Sequence, residues 1–288
     1  MRKSIALLTV MLAVLLTGCG ESSQPVTTDG AGLPEQNQDT ARDSEAGDGE
    51  NGYDFRAPET VTQDAESSDT ERESPDVNAS EDFNSVQKPM IALTFDDGPS
   101  RHTEHILDLL ERYGGQATFF VLGSRIEEWR DTIARAAAAG SEVAGHTWSH
   151  RALTRLSERQ IKGEIQKTSE AIEDITGVAR RFYRPPYGSI DKRVKSISAD
   201  LGYALVLWTV DIRDWKYRCA DAVYDAVMSS ARENAVILLH DIHATTAQAM
   251  ERVIPGLIAE GYRLVTVSEL LYHLYGELEQ GKVYGRRS

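Results

Sequence analysis

Apolar residues recur along the chain in two alternating rhythms. Short runs suited to strands cover residues 90–95, 117–121, 142–145, 181–184, 204–210, 235–239 and 262–266. Between them lie longer stretches whose apolar positions return every three or four residues. Ile106, Leu109, Leu110 and Tyr113 share one helical face, as do Ile161, Ile165, Thr168, Ile172 and Ile175. Further helical patterns cover 126–139, 191–200, 220–233, 247–259 and 268–275. Gly140, Gly177, Gly202 and Gly261 follow helix ends, where a left-handed cap is wanted. Seven alternating strand–helix units predict an α/β fold with a parallel sheet and right-handed crossovers. The form expected is a distorted (β/α) barrel of about seven parallel strands, with a doubly wound open sheet as the alternative. In both, the active site lies at the carboxyl ends of the strands.

The residues before 89 follow neither rhythm. Arg2 and Lys3 open the chain, and an apolar run over 5–16 is broken only by Thr9. That run is shorter than the ~20 residues a membrane span needs, so it reads as a secretory signal. Residues 20–88 hold 18 acidic and 4 basic side chains, with Tyr53, Phe55 and Phe83 their only aromatics. Such a segment buries too little apolar area to offset the entropy of ordering. The expected organisation is a signal peptide over 1–18, a disordered acidic tether over 19–88 and one catalytic domain over 89–288.

Charge and cysteine content narrow the function. The 288 residues carry a net charge of −14, but 89–288 hold 27 acidic against 25 basic residues. The acidity thus belongs to the tether, and no basic face suits nucleic acid. Two cysteines make neither a disulfide scaffold nor a structural zinc cluster.

Polar clusters end five of the strand candidates. They are Thr94-Phe95-Asp96-Asp97-Gly98-Pro99, His146-Thr147-Trp148-Ser149-His150, Arg184-Pro185-Pro186-Tyr187-Gly188, Asp211-Ile212-Arg213-Asp214-Trp215 and His240-Asp241. Each alone has a plain structural reading as a turn, a cap or a core histidine. Their joint placement at strand ends does not. Two imidazoles and one carboxylate leave open positions on a metal, as catalytic zinc sites require. A second carboxylate can accept a proton from water, and a separate histidine can protonate a leaving group. These parts suit metal-assisted hydrolysis of an acyl bond.

All five clusters, in order over about residues 88–271, resemble the motifs of the polysaccharide deacetylases. This is carbohydrate esterase family four, also called the nodulation-protein-B homology domain. The resemblance implies a distorted barrel and removal of acetyl groups from N-acetylglucosamine units, or from O-acetylated sugars in some members. Carried over by motif, Asp96 is the general base and Asp97, His146 and His150 the ligands of a divalent metal, with zinc the family expectation. Arg184 pairs with Asp96, and the backbone N–H of Tyr187 faces the oxyanion. His240 is the general acid, and Asp211 holds its imidazole. Trp215 and Leu238 line the acetyl pocket. Asp214 could serve a local turn alone, and His243 could approach the cleft.

Leu16-Thr17-Gly18-Cys19 resembles the lipobox of bacterial lipoproteins. This implies cleavage before Cys19, lipidation of its sulfur and anchorage on the outer face of a bacterial membrane. With Cys19 lipidated no intramolecular disulfide is expected, and Cys219 reads as an apolar filler. A lipid-anchored domain on a long tether meets cell-wall glycan first. The expected substrate is therefore N-acetylglucosamine of peptidoglycan, with chitin-type or poly-N-acetylglucosamine oligomers open. Two other classes compete. One is a glycoside hydrolase, which needs separated carboxyls flanking one bond and fits adjacent Asp96 and Asp97 poorly. The other is a non-catalytic wall-binding lipoprotein, which no missing base, ligand or acid supports.

Overall fold

A computed structural model describes residues 88–217 and 219–285. The signal segment, Cys19 and nearly all of the tether lie outside the described residues.

Nine strands form one sheet, and every pairing is parallel. They are β1 (Met90–Asp96), β2 (Thr118–Val121), β3 (Glu142–Gly145), β4 (Phe182–Tyr183), β5 (Ala204–Val206), β6 (Val210–Asp211), β7 (Ala235–His240), β8 (Arg263–Leu264) and β9 (Val283–Tyr284). Their order is β6-β7-β1-β2-β3-β4-β5-β9, with β8 beside the first residues of β1. The sheet curls into an open barrel, so the barrel class read from the sequence holds. The strand count departs from seven in two ways. The apolar run over 204–210 splits into β5 and β6, because the chain turns at Leu207–Thr209 and Thr209 pairs with Val236 instead of continuing. β9 adds two residues at the sheet edge, too short for any periodicity to mark.

Helices α1 (Arg101–Tyr113), α2 (Arg130–Ala138), α3 (Glu158–Thr176), α4 (Lys192–Asp200), α5 (Ala220–Ser230), α6 (Ala244–Ala259) and α7 (Val267–Tyr275) cover the outside. Their starts follow from capping chemistry. Ser100 caps α1 by accepting from the His102 N–H, and Ser157 and Gln160 form a reciprocal box at α3. Gly177, at φ 68°, ends α3 in the left-handed conformation predicted for it.

The pleat of the strands sorts core from site. Side chains alternate faces along a strand. In β1, Ile91, Leu93 and Phe95 join the outer core with Ile106, Leu110 and Val253 of the helices. Met90 and Ala92 join an inner core with Phe120, Ala144, Phe182 and Val236 from the neighbouring strands. Each fully buried Leu or Phe contributes roughly 1.5–3 kcal/mol. Two residues on from an inner-core position, the same face reaches the barrel mouth. Ala92 is followed in this way by Thr94 and Asp96, Ala144 by His146, Phe182 by Arg184, and Val236 by Leu238 and His240. The apolar inner layer therefore supports the polar residues above it.

Candidate active site

Five strand ends, of β1, β3, β4, β6 and β7, carry the polar clusters. At the end of β1, Asp97 adopts φ 72°, which turns its carboxylate away from that of Asp96. Asp96 stays in the barrel, where Arg184 Nη1 donates to its Oδ1 at 2.7 Å and to Thr94 Oγ1 at 2.8 Å. The rest of the Arg184 guanidinium donates to the carbonyls of Val206 (3.3 Å) and Leu207 (2.9 Å). Its plane lies over the Phe120 ring, and the side chain is fully buried. A buried charge needs such a complete set of partners.

Asp97 faces the two histidines. Its Oδ1 lies 3.4 Å from His146 Nε2 and 3.1 Å from His150 Nε2. Burial pushes the Asp97 carboxyl up, and the two imidazoles more than reverse this, holding it below the usual carboxylate range. His146 Nδ1 donates to the Arg184 carbonyl at 2.7 Å. A carbonyl only accepts, so the proton of the neutral ring sits on Nδ1 and the Nε2 lone pair points at Asp97. Asp97 Oδ1 is buried without a hydrogen-bond donor. One atom from each of Asp97, His146 and His150 lies within 4.8 Å of the others. Acceptors that converge without a donor fit a cation.

The loop between the two histidines is fixed from both sides. The carbonyls of Thr147 and Trp148 accept from the N–H groups of Gly123 and Ser124 at 2.9 and 3.0 Å. On the other side, Glu164 of α3 accepts from the N–H groups of Trp148 and Ser149, both at 2.8 Å, and from the Ser149 hydroxyl. The Trp148 ring rests on Gly123, where an added Cβ would lie 2.4 Å from Cε3.

His240 ends β7, the strand beside β1, in register with Asp96. Its Nδ1 lies 2.8 Å from Asp214 Oδ1, and its N–H donates to Asp214 Oδ2, which also accepts from Thr246 Oγ1. Burial lowers the His240 pKa, but Asp214, with Asp96 and Asp97 beyond it, outweighs this and raises it to about 9. The ring is therefore protonated at neutral pH. This corrects the expectation for Asp211. The Asp211 carboxylate accepts from the N–H of Arg213 at the surface, and the left-handed Arg213, at φ 57°, turns Asp214 inward instead.

Other expected residues fall as follows. Leu238 is buried on the His240 face of β7, whereas Trp215 is half exposed. Tyr187, at φ 60°, packs its exposed ring 4.7 Å from that of His150. The His243 ring is 6.0 Å from the His240 ring. Cys219 is half-buried at the start of α5, not a core filler. Six non-glycine residues among those described have positive φ, and five of them, Asp97, Thr147, His150, Tyr187 and Arg213, lie in these clusters. Each such residue costs on the order of 1–3 kcal/mol, and strain of this kind concentrates at functional sites.

The comparisons agree with this geometry. The family model described as polysaccharide deacetylase matches residues 83–206. A peptidoglycan-N-acetylmuramic acid deacetylase, PdaC of Bacillus subtilis, is 45% identical over 63% of this chain and 38% of its own length. A peptidoglycan-N-acetylglucosamine deacetylase, PgdA of Listeria monocytogenes, is 42% identical over 67% of this chain and 41% of its own. The chain therefore spans about two fifths of these two relatives. The solved structure of the Bacillus subtilis peptidoglycan deacetylase PdaC is 45% identical and superposes with a TM-score of 0.61, covering 64% of this chain and 90% of that one.

The chain belongs to the polysaccharide deacetylase family.

Two residues of this site carried no sequence expectation. Glu164 is one polar residue on a helix face, and only the fold brings it under the histidine loop. Asp241 was visible beside His240 but had no assigned task. It is fully buried, its Oδ2 accepts from Thr103 Oγ1 at 2.5 Å, and burial raises its pKa to about 7. It packs so closely on Gly98 that an added Cβ there would lie 2.3 Å from both carboxylate oxygens. Asp241 thus links the β1 loop that carries Asp96 and Asp97 to the start of α1.

Proposed function

We propose that the protein removes N-acetyl groups from hexosamine residues of a cell-wall glycan, most directly N-acetylglucosamine of peptidoglycan. The observation that carries this reading is a pair of dyads, Arg184–Asp96 and Asp214–His240, whose base and acid end neighbouring strands beside the Asp97-His146-His150 cluster. One dyad aims a carboxylate and the other keeps an imidazole charged. A base and an acid are thereby held next to each other at the ligand cluster. The names of the relatives support peptidoglycan as the class of substrate.

Asp97, His146 and His150 would hold a divalent cation, with zinc among those that two imidazoles and a carboxylate suit, and when bound it would supply acidification of water and polarisation of the acetyl carbonyl. Asp96, aimed by Arg184, takes the proton of the attacking water. The Tyr187 N–H donates to the oxygen that gains charge as water adds to the carbonyl carbon. His240 gives its proton to the sugar nitrogen as the C–N bond breaks. Acetate and a free amine result. Asp214 then holds the neutral ring in the tautomer with the proton on Nδ1. Leu238 and Trp215 would border the acetyl methyl.

Acetate release from N-acetylated peptidoglycan by the full chain, with zinc and with chelator, tests the reading. Release should require the metal and vanish in Asp96→Asn, with glycan chain length unchanged. Release from chitin oligomers alone would discard the wall assignment. No release from any acetylated glycan would favour a wall-binding module. The apolar run over 5–16 followed by Thr17-Gly18-Cys19, and the acidic composition of 20–88, further support a lipid anchor outside the cell membrane joined to the domain by a tether. Radiolabelled palmitate incorporation that is lost in Cys19→Ala tests the anchor.

A further inference from the structure

Two clefts meet at the exposed Tyr187, and their charges differ. One, of about 830 Å³, is bordered by His150, Tyr187, Arg151, Arg155, Thr154 and Ser189. No acidic side chain lines it. Arg151 and Arg155 are exposed, and neither enters an ion pair among the described residues, whereas Arg130, Arg135, Arg180, Arg184, Arg252 and Arg263 all do. The Thr154 and Ser189 hydroxyls bond each other at 2.8 Å, so the two arginines are the cleft's charged groups. The other cleft, of about 640 Å³, holds Arg213 and Arg232 with Asp211. There Asp211 lies 3.9 Å from Arg213, and Arg232 donates to the Thr209 and Ser230 carbonyls. The first cleft thus presents two arginines with no acid beside them, against two arginines and one carboxylate in the second, on a domain with more acids than bases.

A glycan that sets one residue against the metal-ligand cluster has these clefts beside it, because His150 and Tyr187 border the first and Tyr187 the second. Volumes of this size suit one or two sugar units. We propose that the cleft under Arg151 and Arg155 binds a carboxylate carried on the 3-O-lactyl arm of the neighbouring sugar, so that the site selects anionic glycan strands and sets their direction. This rests on the deacetylase reading and adds a specificity to it. Guanidinium groups pair with carboxylates through a planar fork, and the positive cleft raises the local concentration of an anionic strand. Chitin-type oligomers offer no charge to this cleft. In wall glycan the carboxylate has two sources: the free lactyl group of a stripped strand, or the peptide joined to it.

The test compares kcat/KM of the zinc-loaded full chain on four glycans. These are chitotetraose, stripped peptidoglycan strands, the same strands with their lactyl carboxyls converted to methylamides, and strands that keep their peptides. The acid strands should react at least fivefold faster than the methylamide strands, and 0.5 M NaCl should shrink that ratio. In Arg151→Gln/Arg155→Gln the ratio should fall to about one. In Arg159→Gln/Lys162→Gln, which removes two charges from α3, it should persist. An arginine-dependent preference found only with peptide-bearing strands supports the cleft and assigns the carboxylate to the peptide. A native ratio near one with no preference for peptide-bearing strands overturns the proposal, as does a ratio that survives the double arginine change. Chitotetraose turnover reports separately on the chemistry: no acetate from any of the four glycans overturns the deacetylase reading itself.

Discussion

Replacing Glu164 by alanine should loosen the metal site without touching a ligand. The side chain accepts three hydrogen bonds from Trp148 and Ser149, inside the loop that joins His146 to His150. Bonds to a charged acceptor contribute about 1.5–3 kcal/mol each. Ser149 is exposed, so water replaces part of that, and a net loss of about 2 kcal/mol is expected. The bonds from Gly123 and Ser124 remain, so the loop is slackened and not released. The loop also holds Thr147 and His150 at positive φ, a conformation it leaves when the carboxylate no longer neutralises its N–H groups. A loss of 2 kcal/mol corresponds to about thirtyfold in zinc dissociation constant, within the roughly 10–100-fold typical of such supporting residues. Glu164→Gln keeps an acceptor but not the charge, and should cost about fivefold. Competition against a chromogenic chelator gives the affinity, and melting of the metal-free protein separates it from global stability. At saturating zinc, kcat should recover. If Glu164→Ala binds zinc within twofold of the native chain, or loses thermal stability alone, the reasoning fails.

Further outcomes follow from the same geometry. With His240 raised to about 9, its acid form is lost as pH rises through that value, so kcat/KM should fall on the alkaline side. In Asp214→Asn that limb should move down toward the ordinary histidine range near ~6.5, while Asp211→Asn leaves it in place; a shift in the Asp211 variant alone would reverse the assignment. Gly98→Ala should destabilise by about 1–3 kcal/mol in urea unfolding, since its Cβ meets both oxygens of Asp241. An unchanged midpoint would show that the contact yields freely. Arg184→Met should cost about 3–5 kcal/mol by leaving Asp96 buried and unpaired, and a pH series should recover part of this below the pKa of the orphaned carboxyl.

Much of the fold and part of the site were legible in the sequence, for different physical reasons. β1 and β7 sit among helices and neighbouring strands on both faces, so their apolar runs are unbroken and easy to recognise. The run over 204–210 misled because apolar composition does not reveal where a strand changes partners. That switch depends on the Leu207 carbonyl bonding to Arg184 and on Thr209 pairing with Val236. The Asp211-Ile212-Arg213-Asp214 stretch offered two carboxylates three apart. Which one reaches His240 depends on the left-handed turn at Arg213, and arginine gives no local signal for that conformation. Glu164 was hidden for another reason: a polar residue on a helix reads as solvated until the loop it supports is folded above it.

Arg184 does one further thing. Between β5 and β6 the sheet has no strand-to-strand ladder, and the chain carbonyls there turn inward. The guanidinium takes two of them, from Val206 and Leu207, and with its remaining N–H groups holds Thr94 and Asp96 on the far wall. One side chain thus ties the end of β5 to β1 across the barrel while it aims the base. A lineage that abandoned the chemistry could discard His240 or Asp97 at little structural cost, but not Arg184. Its persistence in a relative would therefore testify to an intact scaffold and not, by itself, to a working enzyme.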